Sequence, residues 1–88
     1  SMPRIEDILQ GKDVPVPKEL NVRYCVAMGL ATRLDATNFD KAWKFLSKMP
    51  GEVQTLTIKL AHKRDRTITK SSAFTQWAIA NQAAFAMK

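Results

Sequence analysis

The stretch LNVRYCVAMGLATRL, from Leu20 to Leu34, carries two apolar stripes at helical spacing. Leu20, Tyr24, Ala27, Ala31 and Leu34 make one stripe, and Val22, Val26 and Leu30 make the other. Cys25 and Met28 fill the gap between them, and no charge occurs from Tyr24 to Ala31. An ordinary surface helix shows one apolar stripe and one polar face. This pattern predicts a helix over about 17–34 that is buried on most sides, with the other segments packed around it. Pro17 suits its first position, where a missing donor costs nothing.

Three further helices are expected, over about 38–49, 50–64 and 72–87. The first places Phe39, Ala42, Trp43, Leu46 and Met49 on an inner face, with Lys41, Lys44 and Lys48 as a cationic ridge outside. Thr37 followed by Asp40 resembles a capping box at its start. Pro50 and Glu52 open the next helix, whose inward residues are expected to be Val53, Leu56, Leu60 and Ile58. Thr67 to Lys70 reads as a polar connection. Ser71 or Ser72 caps the last helix, whose inner stripe is Phe74, Trp77, Ala78, Asn81 and Phe85. Asn81 on that stripe calls for a hydrogen bond to backbone.

Ahead of these lies a strap over 3–17. Ile5, Ile8 and Leu9 have helical spacing sufficient for one or two turns, and Gly11 is placed to stop them. Pro15 and Pro17 then favour an extended path, with Val14 and Val16 apolar enough to bury. The predicted fold class is therefore all-α: a small orthogonal or bundle-like array of four main helices with an N-terminal extended strap.

At 88 residues and 45% hydrophobic, the chain is long enough for one domain with a single core. No apolar run approaches the ~20 residues of a membrane span, so no membrane partner is expected. A secretory signal pattern is not visible. The lone Cys25 has no internal disulfide partner, which fits a reducing cytoplasm, and its expected role is that of a small buried hydrophobe. Ser1-Met2 reads as a pair left by recombinant expression, with Pro3 onward cut from a longer protein.

The net charge of +6 is uneven. Residues 1–35 balance to zero, while residues 36–88 carry nine Lys and Arg against Asp40, Glu52 and Asp65. Lys59, His62, Lys63, Arg64, Arg66 and Lys70 fall within twelve residues and form the one surface cluster with functional content. It reads as a solvated helix end, with His62, Lys63 and Arg64 facing the negative end of the helix dipole, or as a contact for nucleic acid, for nucleotide on a companion domain, or for an acidic protein face. A free-standing nucleic-acid-binding module would use Lys59, Lys63, Arg64, Arg66 and Lys70.

Catalytic chemistry finds little footing. Gly11, Gly29 and Gly51 form no phosphate-cradling loop, and Gly11-Lys12 is followed by Asp13 where a hydroxyl is needed. A single histidine beside a single cysteine matches no metal-site spacing. No catalytic, cofactor-binding or metal-binding residue is predicted, and no enzymatic activity for this chain alone.

The ordered set of segments resembles one family. PRIEDILQGKDVPVP is similar to the strap that opens the C-terminal portion of MoxR-type AAA+ ATPases of bacteria and phages, and RYCVAMGLATRL to the helix that follows. NFDKAWKFLSKMPGEVQTLTIKLAHKRD resembles the family's Asn, Trp and Leu stretch, its Pro-x-Glu-x-Gln corner and its basic helix end. SSAFTQWAIANQAAF resembles the closing helix, with Phe74, Trp77 and Asn81 in matching places. One departure is Leu60, where the family's basic helix often has an acid. The resemblance covers nearly all of 3–85, and it rests on packing and turn residues. It implies a longer parent whose ATPase core and lid bind ATP and Mg, assemble into rings and remodel a client protein. This segment would contact its own ATPase core, neighbouring subunits or that client, through the basic helix end and, as a second contact ridge, Lys41, Lys44 and Lys48.

Overall fold

The chain takes its first turn of helix where acids meet a positive helix end. The computed structural model describes residues 2–86, and among these residues it is all-helical. Helix α1 (Ile5–Leu9) has Glu6 and Asp7 in its first turn and ends at Gly11, whose φ is +81°. A side chain there would be strained, and its Cβ would lie 3.3 Å from Lys41 Cβ. Glycine thus both stops α1 and lets the chain pass close to the third helix. Residues 12–17 then form no helix, and Val14 and Val16 pack half-buried against the core.

Helix α2 (Leu20–Ala31) begins three residues after Pro17, not at it. Arg23 Nε donates to Pro17 O over 2.7 Å, so the proline belongs to the strap. Val26, Ala27, Leu30 and Ala31 are buried and pack chiefly against the fourth helix. Leu20 is 60% exposed, Met28 is 42% exposed, and Cys25 is also exposed. The helix is therefore buried along one face rather than wrapped by three others, and Cys25 is not a core residue. A run without charges carries no label for its outer side; small Ala27 and Ala31 set the close face. The helix stops at Ala31, and Leu34 reaches the core from the turn beyond it.

Asp35, not Thr37, organises the next start. Its Oδ1 accepts from Thr37 N (2.9 Å), Thr37 Oγ1 (2.7 Å) and Asn38 N (3.0 Å), and Asn38 Oδ1 accepts from Asp35 N. The capping box of Thr37 and Asp40 does not form, because Asp40 is engaged across the fold. Helix α3 (Phe39–Leu46) buries Phe39, Ala42, Phe45 and Leu46, and Met49 follows from the turn after it. Trp43 is only half-buried, stacked on Phe39, and Phe45 takes the interior place expected for it. The helix closes early, with Lys48 N and Met49 N bonding three residues back.

Helix α4 (Gly51–Arg64) buries Val53, Thr57, Ile58 and Ala61. The Thr57 hydroxyl donates to Val53 O at 2.7 Å, so its polar atom is satisfied inside the core. Leu56 is half-buried and Leu60 is 37% exposed, so both lie off the inward face predicted for them. The connection that follows is a 3-10 helix (Arg66–Lys70), started by Asp65, which accepts from Thr67 N and Thr67 Oγ1. It is not merely polar, since Ile68 is fully buried.

Ser71 caps helix α5 (Ser72–Ala80), and a break at Asn81 (φ −123°, ψ 35°) separates it from α6 (Gln82–Ala86). The single helix expected over 72–87 is thus two, and its last residue lies outside the described ones. Asn81 Nδ2 donates to Trp77 O at 2.8 Å, the backbone bond its position called for. Gln54 ties three helices together: its Nε2 donates to Leu46 O (2.7 Å) and its Oε1 accepts from Trp77 Nε1 (3.0 Å). Among the described residues no helix is long and apolar enough to cross a membrane.

Candidate functional site

Because α4 turns Leu56 and Leu60 away from the core, they line an open groove between α4 and α6, with Phe85 opposite. Lys59, Lys63 and Arg66 stand along the same groove toward the C-terminal end of α4, and Glu52 stands at the other end. Lys59 Nζ donates to Ala84 O at 3.2 Å and so joins the groove's two walls. Lys63 and Arg66 are exposed and make no ion pair among the described residues. Cations spaced i and i+4 share a helix face, which is why Lys59 and Lys63 both line this groove.

His62 departs from its expected position facing the helix dipole. Its ring stacks on Phe74, with centroids 5.4 Å apart and planes at 20°, and it meets Phe85 at 5.1 Å. Phe85 in turn packs edge-on against Phe74 and Trp77. Burial, helped by the charge of Arg66, holds the His62 pKa below its ordinary value, so the imidazole is neutral at pH 7. It lines the groove together with Phe85 while closing the aromatic cluster beneath it.

The remaining predicted residues separate. Arg64 is exposed, but its guanidinium reaches backbone at the end of α2: Nε donates to Ala31 O at 2.9 Å, and the terminal nitrogen donates to Leu34 O. Those carbonyls belong to the helix end and the turn after it, where cations are favoured. Arg64 is therefore an element-joining residue and not part of the groove. Lys70 is exposed at the end of the 3-10 helix and does not line the groove either. Lys41 and Lys44 on α3 and Lys48 in the turn after it are all exposed, as the ridge predicts. Lys48 is already engaged, donating to Val14 O at 3.1 Å and lying 3.5 Å from Asp13 Oδ1, so it holds the strap.

Leu56, Leu60, Phe85 and Glu52 are the site residues that the charge pattern did not single out. A signal existed: Leu56 and Leu60 are spaced i, i+4 directly beside Lys59 and Lys63, an apolar stripe adjoining a cationic one. Among the described residues no group of three or more His, Cys, Asp or Glu gathers where a metal could bind. The arrangement can bind through apolar contact and charge.

No family model, no curated protein and no solved structure matches the chain.

Proposed function

We propose that this chain is a non-catalytic helical docking domain, and that it is the C-terminal part of an ATP-hydrolysing, MoxR-like AAA+ ATPase. In that setting it packs on the ATPase core or a neighbouring subunit and supports ring assembly or client remodelling. ATP and Mg are bound by the parent's core, and none of the residues described above contacts them.

One observation carries the docking reading. The polar side chains best placed by the fold join one helix to another: Asp40, Gln54, Arg64, Ser71 and Asn81 all bond to neighbouring elements or to backbone. Lys63 and Arg66 instead face solvent beside Leu60 on one groove. Exposed apolar surface rimmed by charge is what an interaction site presents. The kinship rests on the ordered resemblance of segments over 3–85.

The test is made in the full-length protein. A phosphate-binding loop upstream of Pro3 is expected, and deletion of this segment is expected to impair ring assembly, ATP turnover or client binding. Unchanged behaviour in all three would leave the reading without support. Salt-dependent binding of duplex or single-stranded DNA to the isolated chain would instead favour a nucleic-acid-binding module.

A further inference from the structure

We infer that the α4–α6 groove takes an acidic amphipathic helix from a partner protein, with large apolar side chains seated on Leu56 and Leu60 and carboxylates against Lys63 and Arg66. The inference rests on the docking part of the preceding reading and is independent of the ATPase kinship.

Three observations fix the chemistry of the occupant. First, the groove's surface is mainly apolar, contributed by Leu56, Leu60 and Phe85, so binding removes hydrocarbon from water. Second, its charges are sorted along α4. Cations lie at the C-terminal end, and Glu52, without an ion pair among the described residues, lies at the N-terminal end. Charge complementarity of this kind sets partner choice and orientation. The occupant therefore carries its acids at one end and a basic residue at the other. Third, the span from Glu52 to Lys63 corresponds to ~16 Å of helix, or about three turns. That length suits a helix laid in a groove and held by anchors spaced i and i+4.

Nucleic acid fits this surface less well. Binding of unpaired bases relies on aromatic faces that can stack them. Phe85 has its ring committed to His62, Phe74 and Trp77, and the exposed groove residue Leu60 has no π face. Arg64, which would extend a phosphate track, is held on the carbonyls of Ala31 and Leu34.

The experiment titrates the isolated chain with a fluorescent peptide of about twelve residues, designed as a net-acidic helix with Leu and Phe four apart, Glu residues toward one end and one Lys at the other. Its companions are the same peptide with Ser at both anchors, its Lys-for-Glu counterpart, and a single-stranded DNA of similar length. The acidic peptide is expected to bind, and the three companions to bind at least about tenfold more weakly. Leu60→Glu, and separately the pair Lys63→Glu and Arg66→Glu, should weaken the acidic peptide by about tenfold or more, whereas Lys41→Glu with Lys44→Glu on α3 should leave it unchanged. A Leu60→Ser variant repeats the test with a milder change, and circular dichroism confirms that each variant is folded. The inference is overturned by absence of peptide binding, by equal binding of the Ser-anchored or charge-reversed peptide, by stronger binding of DNA, or by insensitivity to the groove substitutions. Failure here together with a damaging deletion in the full-length protein refutes the groove alone. Peptide binding together with a harmless deletion refutes the ATPase assignment alone.

Discussion

Ser71 Oγ lies 2.6 Å from Asp40 Oδ1, and this contact joins the first turn of α3 to the first turn of α5 across 31 positions of sequence. The same carboxylate oxygen accepts from Ala73 N at 3.0 Å, while Ser71 Oγ accepts from Phe74 N at 3.1 Å. One carboxylate therefore serves two helix N-termini, where negative charge is favoured. Ser71→Ala removes the cap of α5 and the partner of Asp40 together. It should lower unfolding stability by ~1–2 kcal/mol, read as a shift in the urea midpoint. Asp40→Ala should cost a similar amount, and the double variant less than the sum, because the two act as one unit.

Arg64 gives a second test. Its two backbone bonds tie α4 to the end of α2, so Arg64→Met should cost about 1–2 kcal/mol of stability while leaving peptide affinity in the groove unaltered. Denaturant melts and the peptide titration measure the two effects separately. A loss of affinity without a loss of stability would return Arg64 to the binding surface.

Stability should fall on acidification in two stages. His62 has a lowered pKa when folded, so below its ordinary value of 6.5 the unfolded chain takes up the proton first. Its contribution is complete above that value and is lost as pH falls toward the folded pKa. Asp35, Asp40 and Asp65 are also lowered, chiefly by hydroxyls of Thr37, Ser71 and Thr67, and their contributions are lost below the ordinary 3.8. Thermal melts between about pH 7 and about pH 5 should show the first stage, and His62→Phe should abolish it while the lower stage remains.

Cys25 faces solvent, so a thiol reagent should label the native chain at about one group per molecule without denaturant. Labelling that requires unfolding would put Cys25 back in the core.

What the sequence made legible was periodicity with a clear polar counter-face. On α3 and the turn after it, Phe39, Ala42, Leu46 and Met49 are buried opposite exposed Lys41, Lys44 and Lys48 as the spacing predicts, while Trp43 is half-buried and Phe45 takes its interior place. Gly11 and the prolines of the strap were equally readable, because backbone restriction acts locally. The chargeless run in α2 was not, since hydropathy alone did not say that the buried face takes Ala27 and Ala31 from one stripe and Val26 and Leu30 from the other, leaving Leu20, Cys25 and Met28 outside. The outward turn of Leu56 and Leu60 was hidden for a related reason. Thr57 and Ala61 occupy the inward positions, and neither announces itself as a core residue. The break at Asn81, which gives the groove its second wall, occurs at the residue whose backbone-directed bond to Trp77 O was expected, but the spacing gave no sign that the helix would change direction there. The basic cluster was visible as charge, yet its division between Arg64, which joins helices, and Lys63 with Arg66, which line the groove, requires the fold.

The most direct measurement compares the unfolding free energy of the pair Lys63→Gln and Arg66→Gln with that of Ser71→Ala. If the rim cations are spare to the architecture and present for a partner, the rim pair should change stability by less than about 1 kcal/mol while Ser71→Ala lowers it by ~1–2 kcal/mol. A rim pair as destabilising as Ser71→Ala would show that those cations hold the fold together, and would contradict the account.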